Sequence, residues 1–276
     1  MTNWRLWRRQ VLAVLRMELG KNFLSRRSWW VYPLVFAPAI LTFLHTVFMW
    51  YRGASTHGIS FDTRIFAGVF QFGYLRVGIY FGCVVLFMNL FRGEVLNRTL
   101  HYYFLAPIRR EVLAAGKFLS ALIASIVLFG LSVTVAYVGM ILHFGPQAQE
   151  FLLHGEGLSQ LGAYLGVTAL ACVGYGAVFL VMGMLYRNPM IPAAIVMVWE
   201  NINTFLPPAL KKISVVFYLK SLSPVDVPES GLAALLGVSA DPTPAWLAVP
   251  GILLLALATL AYAAYRARRM EISYVE

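Results

Sequence analysis

Six stretches of the 276-residue chain are apolar for about as long as a helix needs to cross a bilayer, roughly 20 residues. They run approximately over 29–50, 68–91, 118–144, 159–186, 189–210 and 245–265. The ten-residue blocks of alternating polarity that mark a membrane β-barrel are missing. The pattern predicts an all-α integral membrane protein, one transmembrane domain over 1–276 with six transmembrane helices. Ahead of the first stretch the period changes. Trp4, Trp7, Val11, Val14, Leu15 and Leu19 recur at helical spacing, and Arg5, Arg8, Arg9, Arg16 and Lys21 fill much of the remainder. An apolar stripe with Trp, opposed by Arg, suits the lipid headgroup level, so 1–28 is expected to be an amino-terminal interfacial helix. The alternative is a loosely ordered basic leader that only sets topology.

Between the second and third stretches the apolar pattern breaks. Phe91–Lys117 reads FRGEVLNRTLHYYFLAPIRREVLAAGK and carries Arg92, Glu94, Arg98, Arg109, Arg110, Glu111 and Lys117. Charge at that density must reach water or a partner. Residues 92–105 are expected to be helical, with Glu94 and Arg98 in the favourable order for a pair four apart. Ala106-Pro107 ends that helix, because proline disfavours the α conformation in the residue before it. A second short helix is expected from near Arg109 to Gly116-Lys117, which makes 92–117 a helix–break–helix hairpin. His101, Tyr102, Tyr103 and Phe104 lie near its tip. Exposed aromatics and arginine anchor interfaces, while aromatics at a headgroup boundary need no partner. Position alone leaves both readings open.

Composition agrees with the spans. The chain is 60% hydrophobic with a mean hydropathy of +0.72, where a soluble domain is about half apolar. Its net charge of +10 is unevenly spread. Arg5, Arg8, Arg9, Arg16, Lys21, Arg26 and Arg27 precede the first span, the hairpin holds five more basic residues, and Arg187, Arg266, Arg268 and Arg269 follow later spans. Residues 145–158 hold Glu150 and Glu156 without Lys or Arg, and 211–244 is mixed. Basic loops stay inside, so both termini and the hairpin are expected to face the cytoplasm from a multi-pass protein of the cell membrane. This bias accounts for the charge, and no nucleic-acid partner is expected. No cleavable signal is expected either, since the first apolar run begins near Trp29 and lacks a small-x-small site. Cys83 and Cys172 fall inside spans, without metal-ligand spacing, and are read as packing residues.

The hairpin resembles a known family. Arg92-Gly93-Glu94, then Arg98-Thr99-Leu100, Leu105-x-Pro107-Ile108-x-Arg110 and Gly116-Lys117 are similar to the cytoplasmic coupling hairpin of type-2 ABC exporter permeases. Arg98 stands where that family often has Gly, and His101 where it often has Glu. Leu206-Pro207-Pro208 and Leu222-Ser223-Pro224 resemble the start of the family's short re-entrant outer helices, here 206–244, before the last span. The resemblance implies the membrane-spanning subunit of an ATP-driven exporter. It would dimerise with a second copy or a homologous permease, sit among membrane lipid, and bind two copies of a separate cytosolic ABC ATPase. The implied ATPase contacts are Glu94, Arg98, Thr99, Tyr102, Phe104, Pro107, Arg109 and Arg110. The chain has no G-x-x-x-x-G-K-[ST] of its own, so it is not expected to be an enzyme or to bind a cofactor. ATP and Mg would sit on the partner. The cargo the family implies is apolar or amphipathic: a lipid, natural product or drug.

Ionisable groups within spans are functional candidates. Arg76 and Glu200 fall at matching depths in spans two and five, with Asn201 and Asn203 beside Glu200 and His45 near the far end of span one. An Arg76–Glu200 pair is expected, either as a structural lock or as part of a translocation path or outer gate. Span five is bent or broken at Pro189, Pro192, Pro207 and Pro208. Gly162-x-x-x-Gly166 permits a close helix contact. His45, Asp62 and Glu200 are too scattered in sequence to nominate an intramembrane lipid enzyme. Paired broken helices of a secondary transporter are not evident. An ABC-type permease that transmits force to an outer partner without exporting anything remains the main alternative.

Overall fold

Burial separates one central rod from the helices around it. In the most apolar window of Ile59–Leu96, 72% is buried, against 28% for Val31–Tyr51 and 22% for Ala245–Arg268. The structure is a computed structural model that describes residues 3–24, 28–52, 58–105, 108–227 and 242–269. Regular structure among these is helical throughout. Five described helices are long and apolar enough to cross a membrane: Val31–Tyr51, Ile59–Leu96, Arg110–Phe144, Gly157–Leu185 and Ala245–Arg268. We label α1 (Asn3–Leu24), α2 (Val31–Tyr51), α3 (Ile59–Val69), α4 (Ile79–Leu96), α5 (Leu100–Leu105), α6 (Arg110–Ile141), α7 (Pro146–Leu153) and α8 (Gly157–Leu185). The carboxyl-terminal part has α9 (Met190–Ile202), α10 (Pro208–Lys211), α11 (Val215–Ser221) and α12 (Ala245–Arg268).

The predicted second span is longer than its apolar run. α3 and α4 join through a nine-residue π-helical segment, Phe70–Gly78, so the rod begins at Ile59. The predicted fifth span is shorter. α9 has 13 residues, about 20 Å at 1.5 Å per residue against about 30 Å of hydrocarbon. Leu206 and Pro207 take extended backbone and end it. The separate second hairpin helix does not form, because α6 runs unbroken for 32 residues from Arg110. The 206–244 region contributes α10 and α11, and residues 228–241 lie outside the described part.

Lipid tails are as apolar as the helix surfaces, so cohesion comes from close approach and interhelical polar contacts. Gly183 brings α8 so near α4 that a Cβ would strike the Met88 carbonyl, and Gly176 makes room for the Phe87 ring. Gly162 and Gly166 do not act this way: a Cβ on either would meet nothing within 4 Å. Aromatic rings fill the centre. Phe66 meets Tyr137 and Tyr164 edge-on with centroids 5.0 Å away in both cases, and Phe70 lies 4.6 Å from Tyr164. Tyr74 in the π segment shares a 2.8 Å hydrogen bond with Ser132 of α6, which donates to the Val35 carbonyl of α2 at 2.6 Å. Cys83 and Cys172 are buried and free, as packing residues should be.

Candidate functional site: a charged hairpin over a buried ion cluster

The hairpin starts where α4 stops. The Arg98 N–H donates to the Val95 carbonyl at 3.1 Å and the Thr99 N–H to the Glu94 carbonyl at 2.9 Å. These two bonds, with Arg98 at φ 56°, form a Schellman cap. The left-handed position in such a cap is usually glycine, which has no Cβ to crowd the carbonyl. Arg98 accepts that conformation here. The turn at Asn97-Arg98 also removes the expected Glu94–Arg98 pair, since the two no longer sit one turn apart on one helix. Glu94 is held instead by the Thr99 hydroxyl, which donates to its carboxylate.

Beneath the turn lies a cluster of ionised groups. Lys117, in the second turn of α6, is fully buried. Its Nζ is 2.8 Å from Glu18 Oε1 of α1 and 3.4 Å from Glu94 Oε1 of α4. Lys21 of α1 reaches the same Glu94 oxygen at 3.3 Å and donates to the Tyr103 hydroxyl at 2.7 Å. Tyr103 of α5 donates to Glu18 at 2.8 Å, and its ring lies 4.5 Å from Lys117 Nζ. Four elements meet on one set of charges. An ammonium with no exposure survives only when paired and hydrogen-bonded, and two carboxylates supply that here. Burial works against the Lys21 charge, but Tyr103, Glu18 and Glu94 together hold its pKa above the ordinary lysine value. Burial pushes the Tyr103 phenol up as well.

Gly116 makes this geometry possible. A Cβ on it would lie 2.9 Å from Val14 Cβ, so any larger residue would push α1 off α6. The Gly-Lys pair therefore works as a unit, with the glycine admitting α1 and the lysine gripping it. Above the cluster, Tyr102 and Leu105 point outward, 67% and 80% exposed. Arg109 stacks 4.8 Å over the Trp7 ring of α1. Arg110 donates to the Arg268 carbonyl at 3.1 Å, and Arg268 pairs with Glu111. The end of α12 and the helix α1 thus meet the same end of α6.

Away from the hairpin, Glu200 is buried on α9. Its carboxylate accepts the Ser214 hydroxyl and the N–H groups of Val215 and Val216, both at 3.1 Å. It thereby fixes the start of α11. The Arg76 guanidinium lies 5.9 Å over the Phe72 ring. Asn201 donates to Met197 O at 2.8 Å and Asn203 to Lys211 O at 3.1 Å. A separate trio forms around fully buried Asp62: His143 Nε2 lies 3.4 Å from it and His45 Nε2 3.9 Å.

Comparison with family models decides what this arrangement belongs to. The model described as ABC-2 family transporter protein matches residues 14–203, well over half of the chain. The match takes in α1 from Val14, the hairpin, the π segment and α9. The chain belongs to the ABC-2 transporter family. It is a permease subunit of an ABC transporter and a multi-pass membrane protein, not itself the catalytic ATPase. Permeases of this family generally work with an ATP-binding subunit. Comparison with curated proteins gives no match.

The permease divides the sequence-predicted hairpin residues into two sets. Glu94 and Thr99 turn toward the ion cluster, while Tyr102 stands exposed and Arg98 shapes the turn. Arg109 and Arg110 engage α1 and α12. Pro107 and the Phe104 side chain lie outside the described residues. Among groups in spans, Glu200 is brought to the start of α11, and the guanidinium of Arg76 lies over Phe72. Sequence reasoning missed Glu18, Lys21, Tyr103 and Lys117 as one cluster, and His143 as the partner of Asp62. One signal was there: Glu18 is the single acidic residue in an otherwise basic amino-terminal helix.

Proposed function

We propose that this permease is the membrane-spanning subunit of an ATP-driven exporter, its hairpin end facing the cytoplasm and docking on a separate ATPase. The carrying observation is the Lys117 cluster. Motion imposed on the hairpin would not be absorbed by a loose loop, because Glu94, Tyr103, Glu18 and Lys117 tie α4, α5, α1 and α6 into one base. Tyr102 and Leu105 are the surface a partner would meet. Two ATPase copies, a permease dimer and an apolar or amphipathic cargo follow the family pattern.

A six-crossing path has its own support. α1 and the end of α12 meet the same end of α6, which supports an even number of crossings between them. On this reading α9 with its α10–α11 continuation makes the sixth crossing beside the five long spans. Both termini then share the cytoplasmic side with the hairpin. Co-purification tests the reading. Tyr102→Ala with Leu105→Ala should strip the ATP-binding subunit from the permease while membrane insertion persists. Undiminished recovery of that subunit would sink the docking assignment.

A further inference from the structure

A crevice of about 630 Å³ lies between α2 and the half of α6 distant from the hairpin, within the usual range of small-ligand sites, about 300–1,000 Å³. On α2 its wall runs from Ala39 to Trp50, about 16 Å along the axis. That matches the hydrocarbon of a single leaflet, about half of the ~30 Å core.

Between its ends the wall offers little hydrogen-bonding capacity. Three of its residues are threonines, and each hydroxyl is committed to backbone. Thr42 donates to Ala39 O at 2.9 Å, Thr46 to Thr42 O at 3.0 Å and Gly139 O at 3.2 Å, and Thr134 to Gly130 O at 2.8 Å. What remains is methyl, aliphatic and aromatic surface. The space exists because α6 has glycine at 139, where a Cβ would meet nothing within 4 Å. The crevice opens outward, past exposed Phe43, Val135 and Leu142. Its polar features gather at one end. His143 closes it there, with Nδ1 against Met140 O at 2.9 Å and Nε2 against Asp62. Trp50 forms the rim, and two residues on, the Arg52 guanidinium lies 4.3 Å over the Phe48 ring.

An apolar trough one leaflet long, ending at an aromatic rim and a cation, is complementary to one ligand: an acyl chain with a phosphate at its head. We propose that this crevice binds a phospholipid of the leaflet at the Trp50 end, one acyl chain along α2 and α6 and the phosphate at Arg52. This site is independent of the ATPase docking and export reading, and its test needs neither ATP nor cargo.

The permease would be reconstituted in nanodiscs containing a phospholipid with a diazirine midway along one acyl chain. Expected labelling falls on residues 39–50 and 134–143, and excess unlabelled phospholipid competes it away. Gly139→Phe fills the crevice and should lower labelling several-fold. Gly251→Phe, at a similarly open glycine of α12, should leave it unchanged. Val135→Trp plugs the same crevice from its exposed rim, in case Gly139→Phe impairs folding. Arg52→Gln should weaken labelling by the phospholipid but not by a diacylglycerol with the same chain. Labelling spread over all exposed apolar faces, or insensitive to both plugs, would overturn the site. So would a disulfide between two Val135→Cys copies, because the face would then be a protein contact.

Discussion

Lys117 is the residue on which the ion cluster turns. It is fully buried and paired with Glu18 and Glu94. Lys117→Ala leaves the Glu18 and Glu94 carboxylates with the half-exposed Lys21 as their remaining cation, and the expected cost is up to about 3–5 kcal/mol. Thermal unfolding in detergent would measure it. Once Lys117 is methionine, Glu18→Gln should cost far less than it does in the native chain, and a double-mutant cycle gives the coupling directly. Arg98 makes the opposite prediction. Its φ of 56° suits glycine, so Arg98→Gly should leave the melting temperature unchanged or raise it, whereas Arg98→Val should lower it, because a β-branched residue tolerates the left-handed region worst. Glu200→Ala removes the acceptor for Ser214, Val215 and Val216. Leaving these donors unmatched should cost about 1–3 kcal/mol, read as faster proteolysis around α11. None of these partners is visible in sequence. Glu18 and Lys117 are 99 residues apart, and no periodicity links them.

Among the elements, α1 was the most legible and the least complete. Its stripe of Trp, Val and Leu against Arg predicts a helix, and the helix forms over Asn3–Leu24. The sequence pattern suggested lipid headgroups as its only support. The structure adds α6, through Gly116 against Val14 and Lys117 against Glu18. Gly116→Leu should therefore detach α1 while leaving the spans folded, which a cysteine at Val14 would report as faster thiol labelling. The docking should resist ordinary changes of pH. Lys21 has a folded pKa above its unfolded value, so its contribution is fully present below about 10.5 and is lost as pH rises toward the folded value. Tyr103 is likewise raised, and the folded state keeps it neutral when an unfolded phenol would ionise above about 10. Both act in the same direction: thiol labelling at Val14 should stay flat from pH 6 to 9 and rise in strong alkali. The π segment Phe70–Gly78 was not legible, because its residues read as ordinary helix and its register is marked only by tertiary contacts such as Tyr74–Ser132 and Phe70–Tyr164.

For the whole molecule, the apolar runs determined that the chain is a helical membrane protein. The reason is physical: about 20 apolar residues cannot be placed otherwise without exposing backbone groups to lipid. The charged interruption after the second run located the hairpin, since such charge cannot stay in hydrocarbon, and its motifs pointed to the family that the match over 14–203 establishes. Periodicity and charge are local properties, and a sequence states them outright. Tertiary structure alone decided which charges meet. It placed Glu94 on Lys117 and Lys21 and not on Arg98, because the Schellman turn ends α4 between them. It gave Glu200 to the start of α11, and it drew His45 and His143 to Asp62 from α2 and the end of α6. A buried charge takes whichever partner the packed helices bring within reach, and that is fixed only when close contacts such as Gly116–Val14 and Gly183–Met88 set how near the helices come.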